Sequence, residues 1–312
     1  MRRLLSGHII FVSLAFFSFT TYASAPQLGP LNIYQANLIF PPENRLEAYQ
    51  VSNPLIQQAM RATAGMVYQN ILEYNPKTHL YHYNAPNFSE RTGACTNHPY
   101  SQQPAPILCT GFLIGPNTLV TAGHCQRQPW DCSNNVWVFD YALQSPKQTS
   151  IETPERNVYR CSRVVQSVWD PENKIDFAVI ELDRMVLDRR PLPLGEGYPQ
   201  LGQKVFMPGH GGGVPLKVTA EGEVIGNAHP HFFQASLDAL GGNSGSPVIN
   251  LTTGEVEGLL VRGGNAPEWN EAGNGQEQSC RTEYVCDEQC TGVEITRAFL
   301  ITSGAKNQGQ QQ

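Results

Sequence analysis

Short apolar runs punctuated by Gly, Pro and Asn recur along most of the chain, and no long stretch repeats its apolar residues at helical spacing. Runs at 60–68, 109–114, 118–122, 135–141, 158–169 and 176–183 read as strands. So do those at 203–207, 217–225, 246–249 and 255–262. Pro191-Leu192-Pro193-Leu194-Gly195 separates about six strands from about five, as a connector between two β-barrels would. The chain is therefore expected to be all-β. Leu55 to Ala62 is the one segment that reads as a short helix.

The ends depart from this pattern. Met1-Arg2-Arg3, an apolar segment from Ile9 to Phe19 and the small residues Ala23-Ser24-Ala25 read as a signal peptide over 1–25, with the cut at 23 to 25. Residues 26–59 are loop-like at Glu43-Asn44-Arg45 and Asn53-Pro54, and are expected to be an N-terminal extension or a pro-segment. Residues 303–312 are polar and are expected to form a disordered tail. No second apolar run approaches the roughly 20 residues of a spanning helix, so no membrane anchor is expected.

Composition narrows the class further. In 312 residues, 40% apolar content suffices for a sizeable core. Loss of Arg2 and Arg3 moves the formal charge from −6 to about −8, which gives nucleic acid no electrostatic reason to bind. Eight cysteines in an exported chain suit disulfides better than free thiols or zinc. A secreted monomer, extracellular or periplasmic, is expected. Cys132 and Cys161 flank one expected hairpin and make a candidate pair, while Cys95, Cys280, Cys286 and Cys290 leave their pairing open.

The chemistry gathers in three motifs. Gly241-Gly242-Asn243-Ser244-Gly245-Ser246-Pro247 sets a hydroxyl among glycines that let backbone amides crowd around it. A serine hydroxyl needs a base to take its proton. Thr121-Ala122-Gly123-His124-Cys125 supplies an imidazole, and Asp176, at the head of Phe177-Ala178-Val179-Ile180, supplies a carboxylate to orient it. Asp170 precedes Pro171 in a turn and Asp183 closes a strand, so neither competes well with Asp176.

His, Asp and Ser in that order, with those neighbours, resemble the chymotrypsin-like (trypsin-like) serine endopeptidases. The resemblance implies two six-stranded antiparallel β-barrels, about 60–190 and 191–302, with a short C-terminal helix starting at Thr296-Arg297-Ala298. It makes His124 the general base, Asp176 its orienting partner and Ser244 the nucleophile, with the amides of Gly242 and Ser244 as oxyanion donors. It also implies a Cys109–Cys125 disulfide beside the histidine. The implied reaction is peptide-bond hydrolysis through an acyl-enzyme, on protein or peptide substrates, with neither cofactor nor metal.

For substrate preference the resemblance points two ways. Asp238, six residues before Ser244, matches the pocket-floor carboxylate of the trypsin branch, and Gly263 matches a glycine that keeps that pocket open, which favours cleavage after Arg or Lys. The nucleophile motif itself looks most like that of the glutamyl endopeptidases, but Leu260 stands where those carry a histidine and Ala239 where they carry a hydroxyl. Arg262 would serve an acidic preference only by turning inward, and an outward arginine is expected. Asn243 replaces the aspartate that receives a newly cut amino terminus in many relatives, so activation by that ion pair is not expected. A catalytically inactive homologue that binds proteins through its cleft is the alternative class.

Other motifs carry less. His229-Pro230-His231 and His79-x-x-His82 lack nearby cysteine or carboxylate ligands in sequence, and His210-Gly211-Gly212-Gly213 is not followed by a helix. Glu268, Glu271, Glu277, Asp287 and Glu288 lack a regular oxygen-ligand spacing for calcium and read as a solvated loop. Asn87-Phe88-Ser89 and Asn250-Leu251-Thr252 are sequons that matter only in a eukaryotic host.

Overall fold

Two barrels are built from strands whose inward residues are almost uniformly apolar. In the computed structural model, residues 38–128, 130–265, 270–272 and 280–302 are described. The expected signal peptide, the start of the extension at 26–37 and the tail at 303–312 lie outside them.

The first barrel comprises β1 (Thr63–Tyr68), β2 (Cys109–Leu113), β3 (Thr118–Thr121), β4 (Asn135–Phe139), β5 (Val158–Asp170) and β6 (Ile175–Leu182). It closes in the order β5-β6-β3-β2-β1-β4, every pair antiparallel. The second comprises β7 (Lys204–Gly209), β8 (Lys217–Gly226), β9 (Phe232–Ala235), β10 (Pro247–Asn250), β11 (Val256–Arg262) and β12 (Val293–Arg297). The order β7-β10-β11-β12-β9-β8 closes through β7–β8 pairing. Closure removes the unpaired edges an open sheet would expose.

Phe112, Trp137, Phe139, Phe177 and Ile180 fill the first barrel and join a cluster that continues through Phe206, Val218 and Leu259 of the second, so the seam is itself apolar core. The second barrel has its own interior around Val205, Met207, Phe233, Leu260 and Ile295. Along residues 191–195, Leu192 N–H donates to the Leu113 carbonyl, while Gly195 N–H donates to the Val256 carbonyl and Val256 N–H to the Pro193 carbonyl.

Three boundaries differ from the sequence reading. Met60 to Ala62 are the last turn of helix α1 (Pro54–Ala62), which starts where Asn53 accepts from Leu55 N–H and Pro54 occupies the first helical position. Thr296 and Arg297 remain in β12, opposite Leu259 and Gly258, and the C-terminal helix begins at Ala298. Strands β9 and β12 were not anticipated, because Glu294 and Arg297 become interior residues only through partners far away in sequence.

The extension is integral to the second barrel. Arg45–Glu47 pairs antiparallel with β8, and Leu38–Ile39 runs parallel to Tyr284–Val285 while Leu38 also bridges Ala239. Buried Lys217 meets Glu47 at 2.9 Å, and Arg45 meets Glu283 at 2.8 Å. Four disulfides link Cys109–Cys125, Cys132–Cys161, Cys95–Cys280 and Cys286–Cys290, so the four cysteines left open pair as the long closure plus the tight one.

Candidate active site

His124 sits on the short turn after β3, Asp176 is the second residue of β6, and Ser244 lies in the loop that enters β10. Because β3 and β6 are hydrogen-bonded neighbours, with Ala178 opposite Thr121, the two first-barrel residues come together at one end of the barrel. Asp176 Oδ2 accepts from His124 Nδ1 at 2.8 Å and Oδ1 accepts from the His124 backbone N–H at 3.0 Å. That contact fixes the Nδ1–H tautomer and leaves Nε2 as the acceptor. Nε2 is buried and has no hydrogen-bond partner among the described residues. Asp176 is only 2% exposed, so its charge is held in place by the imidazole and the amide rather than by water.

Ser244 belongs to the second barrel but is fastened to the first. Its carbonyl accepts from Thr110 N–H at 2.8 Å, and Thr110 Oγ1 donates to the Gly242 carbonyl at 2.8 Å. Cys125 Sγ, one residue past the histidine, lies 4.0 Å from the Ser244 carbonyl. Gly245 has φ +88°, and a Cβ there would collide with the Thr110 carbonyl and crowd the Ala122 amide; only glycine lets the Ser244 loop seat this closely on the histidine segment. Gly242 has φ +105° and its missing Cβ would meet the His210 carbonyl, so the need for glycine there is conformational and steric. The amides of Gly242 and Ser244 donate to no protein acceptor among the described residues. Thr110, which ties the two barrels together here, carries no sequence signal beyond its place before Gly111.

Residues 109–259 match the family described as trypsin-like peptidase domain. That match covers just under half of the chain. A glutamyl endopeptidase of Bacillus licheniformis is 29% identical over 157 residues, which are 46% of this chain and 46% of that protein, so the match spans about half of each. Among solved structures, a Glu endopeptidase in complex with MPD is 16% identical, with 88% of this chain and 100% of that one covered and a TM-score of 0.49. Neuropsin, a serine protease expressed in the limbic system of mouse brain, is 17% identical over 80% of this chain and 95% of its own, also with a TM-score of 0.49.

Within the matched residues, Asp238 is fully buried and its Oδ1 accepts from Phe40 N–H at 2.6 Å, while Oδ2 is buried without a partner among the described residues. Burial pushes this carboxyl up to about 7, against a smaller lowering by the Phe40 hydrogen bond. Gly263 directly follows β11 and is half-buried. Leu260 lies inside the barrel core, and Ala239 is bridged to Leu38. Arg262 does not point to solvent: its Nε donates to Glu294 Oε2 at 2.6 Å and Nη2 to the Lys174 carbonyl at 3.2 Å. The expectation of an outward arginine is thus corrected, because Glu294 of the adjacent strand draws the guanidinium inward.

The rejected aspartates have other work. Asp170 caps the β5–β6 turn through the amides of Glu172 and Asn173, and Asp183 pairs with Arg184. One ring nitrogen of His124 lies with the sulfurs of Cys109 and Cys125 inside 4.8 Å, but the disulfide removes both thiolates as ligands. His82 meets Glu152 at 2.9 Å and His79 bonds Tyr74, so both have side-chain partners the sequence did not reveal, yet they do not share one. His231 Nδ1 lies 2.7 Å from the Asn173 carbonyl, and His229 stacks on Phe232. His210 is buried with Nδ1 3.1 Å from the Val214 carbonyl, and burial lowers it to about 4, which keeps it neutral. Asn87 caps helix α2 (Phe88–Thr92), and Asn250 donates to Glu257. Glu268 and Glu277, and the side chain of Glu271, lie outside the described residues.

Proposed function

We propose that this chain is an exported serine endopeptidase that hydrolyses peptide bonds through Ser244, His124 and Asp176. The observation that carries the reading is the His124–Asp176 pair with Nε2 buried and unpartnered, set against a glycine-built loop that bears a serine. In this mechanism Nε2 takes the Ser244 hydroxyl proton as Oγ attacks the substrate carbonyl, and Asp176 stabilises the imidazolium. The Gly242 and Ser244 amides receive the oxyanion. As the tetrahedral intermediate collapses, the C–N bond breaks and the imidazolium gives its proton to the leaving amine. Water then repeats the cycle on the acyl-enzyme and frees the serine. Every step uses groups of the chain itself.

For substrate preference we propose cleavage after Arg or Lys, with Asp238 as the pocket carboxylate and Gly263 at the wall. Supporting it is Asp238 Oδ2, a buried acceptor without a donor, which a cationic side chain would satisfy. The glutamyl endopeptidase name of the 29% identical relative favours an acidic preference instead, but Arg262, the cation that would serve it, already neutralises Glu294.

Labelling by a fluorophosphonate probe tests the nucleophile: the wild-type protein is expected to label and Ser244→Ala to stay unlabelled, with turnover down by about ten-thousandfold or more. An unlabelled wild type would instead support an inactive homologue. Matched Arg, Lys, Glu and Phe peptides test the pocket. Arg and Lys peptides are expected to be cleaved fastest, with KM falling as pH rises through about 7 and Asp238 ionises; a fast Glu peptide beside a dead Arg one overturns the preference.

A further inference from the structure

Arg262 stands at the reactive end with two hydrogen bonds and one longer charge contact on its guanidinium. Besides its bonds to Glu294 and the Lys174 carbonyl, its Nη1 lies 3.9 Å from Asp176 Oδ2, the same oxygen that accepts from His124 Nδ1. Arg262 closes β11 and Glu294 lies on β12, both in the second barrel. Lys174 and Asp176 belong to the β5–β6 hairpin of the first. The arginine therefore reaches across the seam and holds the hairpin that carries the aspartate.

Resting on the triad reading above, we propose that Arg262, kept in balance by Glu294, is a positioning residue that fixes the Asp176 carboxylate against His124. A rigid planar fork can hold a hairpin carbonyl, a carboxylate and a neighbouring charge at once, which a lysine cannot do. Glu294 sets the sign of the arrangement. An unpaired arginine beside Asp176 would oppose formation of the imidazolium, whereas an arginine neutralised by Glu294 holds the aspartate without opposing the proton transfer. Among the described residues, the titratable groups that face the cluster are Lys174, whose Nζ is 3.5 Å from Glu294, the rings of His229 and His231 beside Phe232, and Asp170, whose carboxylate caps the hairpin turn.

The experiment compares wild type, Arg262→Met, Arg262→Lys and Glu294→Gln by kcat, KM, the pH profile of kcat/KM and fluorophosphonate labelling. Arg262→Met is expected to lower kcat about tenfold to a hundredfold with KM changed less than about threefold, and Arg262→Lys to recover only part of the loss. The acid limb should move up in Arg262→Met and down in Glu294→Gln, each by about half a pH unit or more. Those opposite displacements separate positioning from a loss of folding, which thermal melting of each variant monitors independently. A labelled, active wild type whose Glu294→Gln and Arg262→Lys variants keep its kcat and acid limb overturns the role of Arg262 alone. A wild type that neither labels nor hydrolyses overturns the triad, and this role with it.

Discussion

At the scale of single residues, burial decides what the titratable groups do. Asp238 is pushed up to about 7, so the folded protein holds a proton there that the unfolded chain, with an ordinary aspartate, releases near 4. The stabilisation linked to that proton is full below about 4 and is lost as pH rises through about 7. His210, lowered to about 4, works in the opposite sense: its contribution is full above about 6.5 and is lost on acidification toward 4. Asp238→Asn keeps an oxygen for Phe40 N–H and removes the carboxylate. It is therefore expected to gain stability over wild type as pH rises from 4 to 8, by up to about 4 kcal/mol. Urea unfolding at pH 5 and pH 8 checks it, and a difference that does not grow with pH would contradict it. The resemblance placed Asp238 at a pocket floor, but the size of its shift was not legible from sequence, because it depends on burial behind Phe40, a residue 198 positions away.

At the scale of elements, the strands that announced themselves are those with continuous or alternating apolar residues, such as Asn135–Phe139 and Ile175–Leu182. Val293–Arg297 did not, because its Glu294 is paired with Arg262 and its Arg297 is hydrogen-bonded by Asn227 and the His229 carbonyl, all distant in sequence. The N-terminal extension was ambiguous for the same reason. Arg45–Glu47 sets one leucine between two charged residues and becomes a strand only by pairing with β8. The extension brings the carboxylate for buried Lys217, whose own burial lowers it to about 8. We therefore expect residues 38–59 to stay in the active protein. Sequencing the amino terminus of the purified active protein should give a start at or before residue 38, and a start beyond about 50 would overturn this. Glu47→Ala should cost about 3 to 5 kcal/mol of unfolding free energy, because it leaves a buried ammonium without its partner.

For the whole molecule, Cys95–Cys280 closes the longest loop, 185 residues, and joins a segment before the first barrel's β2 to the excursion between β11 and β12 of the second. Replacing both cysteines by serine should lower unfolding free energy by about 2 to 5 kcal/mol, measured against a Cys286–Cys290 double variant, whose 4-residue separation should make its loss smaller. Equal losses would show that loop length is not what matters. Legible along the chain were the all-β class, Cys132 and Cys161 as a candidate pair flanking one hairpin, and the three motifs in which a histidine, an aspartate and a glycine-flanked serine occur in order, while the Cys109–Cys125 pair came from the family resemblance. Those are local signals: alternation, turn residues and short spacings act within a few residues of themselves. Only the tertiary structure decided that Asp176 Oδ2 faces His124 Nδ1, that Phe40 caps Asp238, and that Arg262 turns in to Glu294. Each of those contacts joins residues from 32 to 198 positions apart. Their energies depend on water being excluded between them, and no stretch of sequence excludes water until both barrels have closed and met.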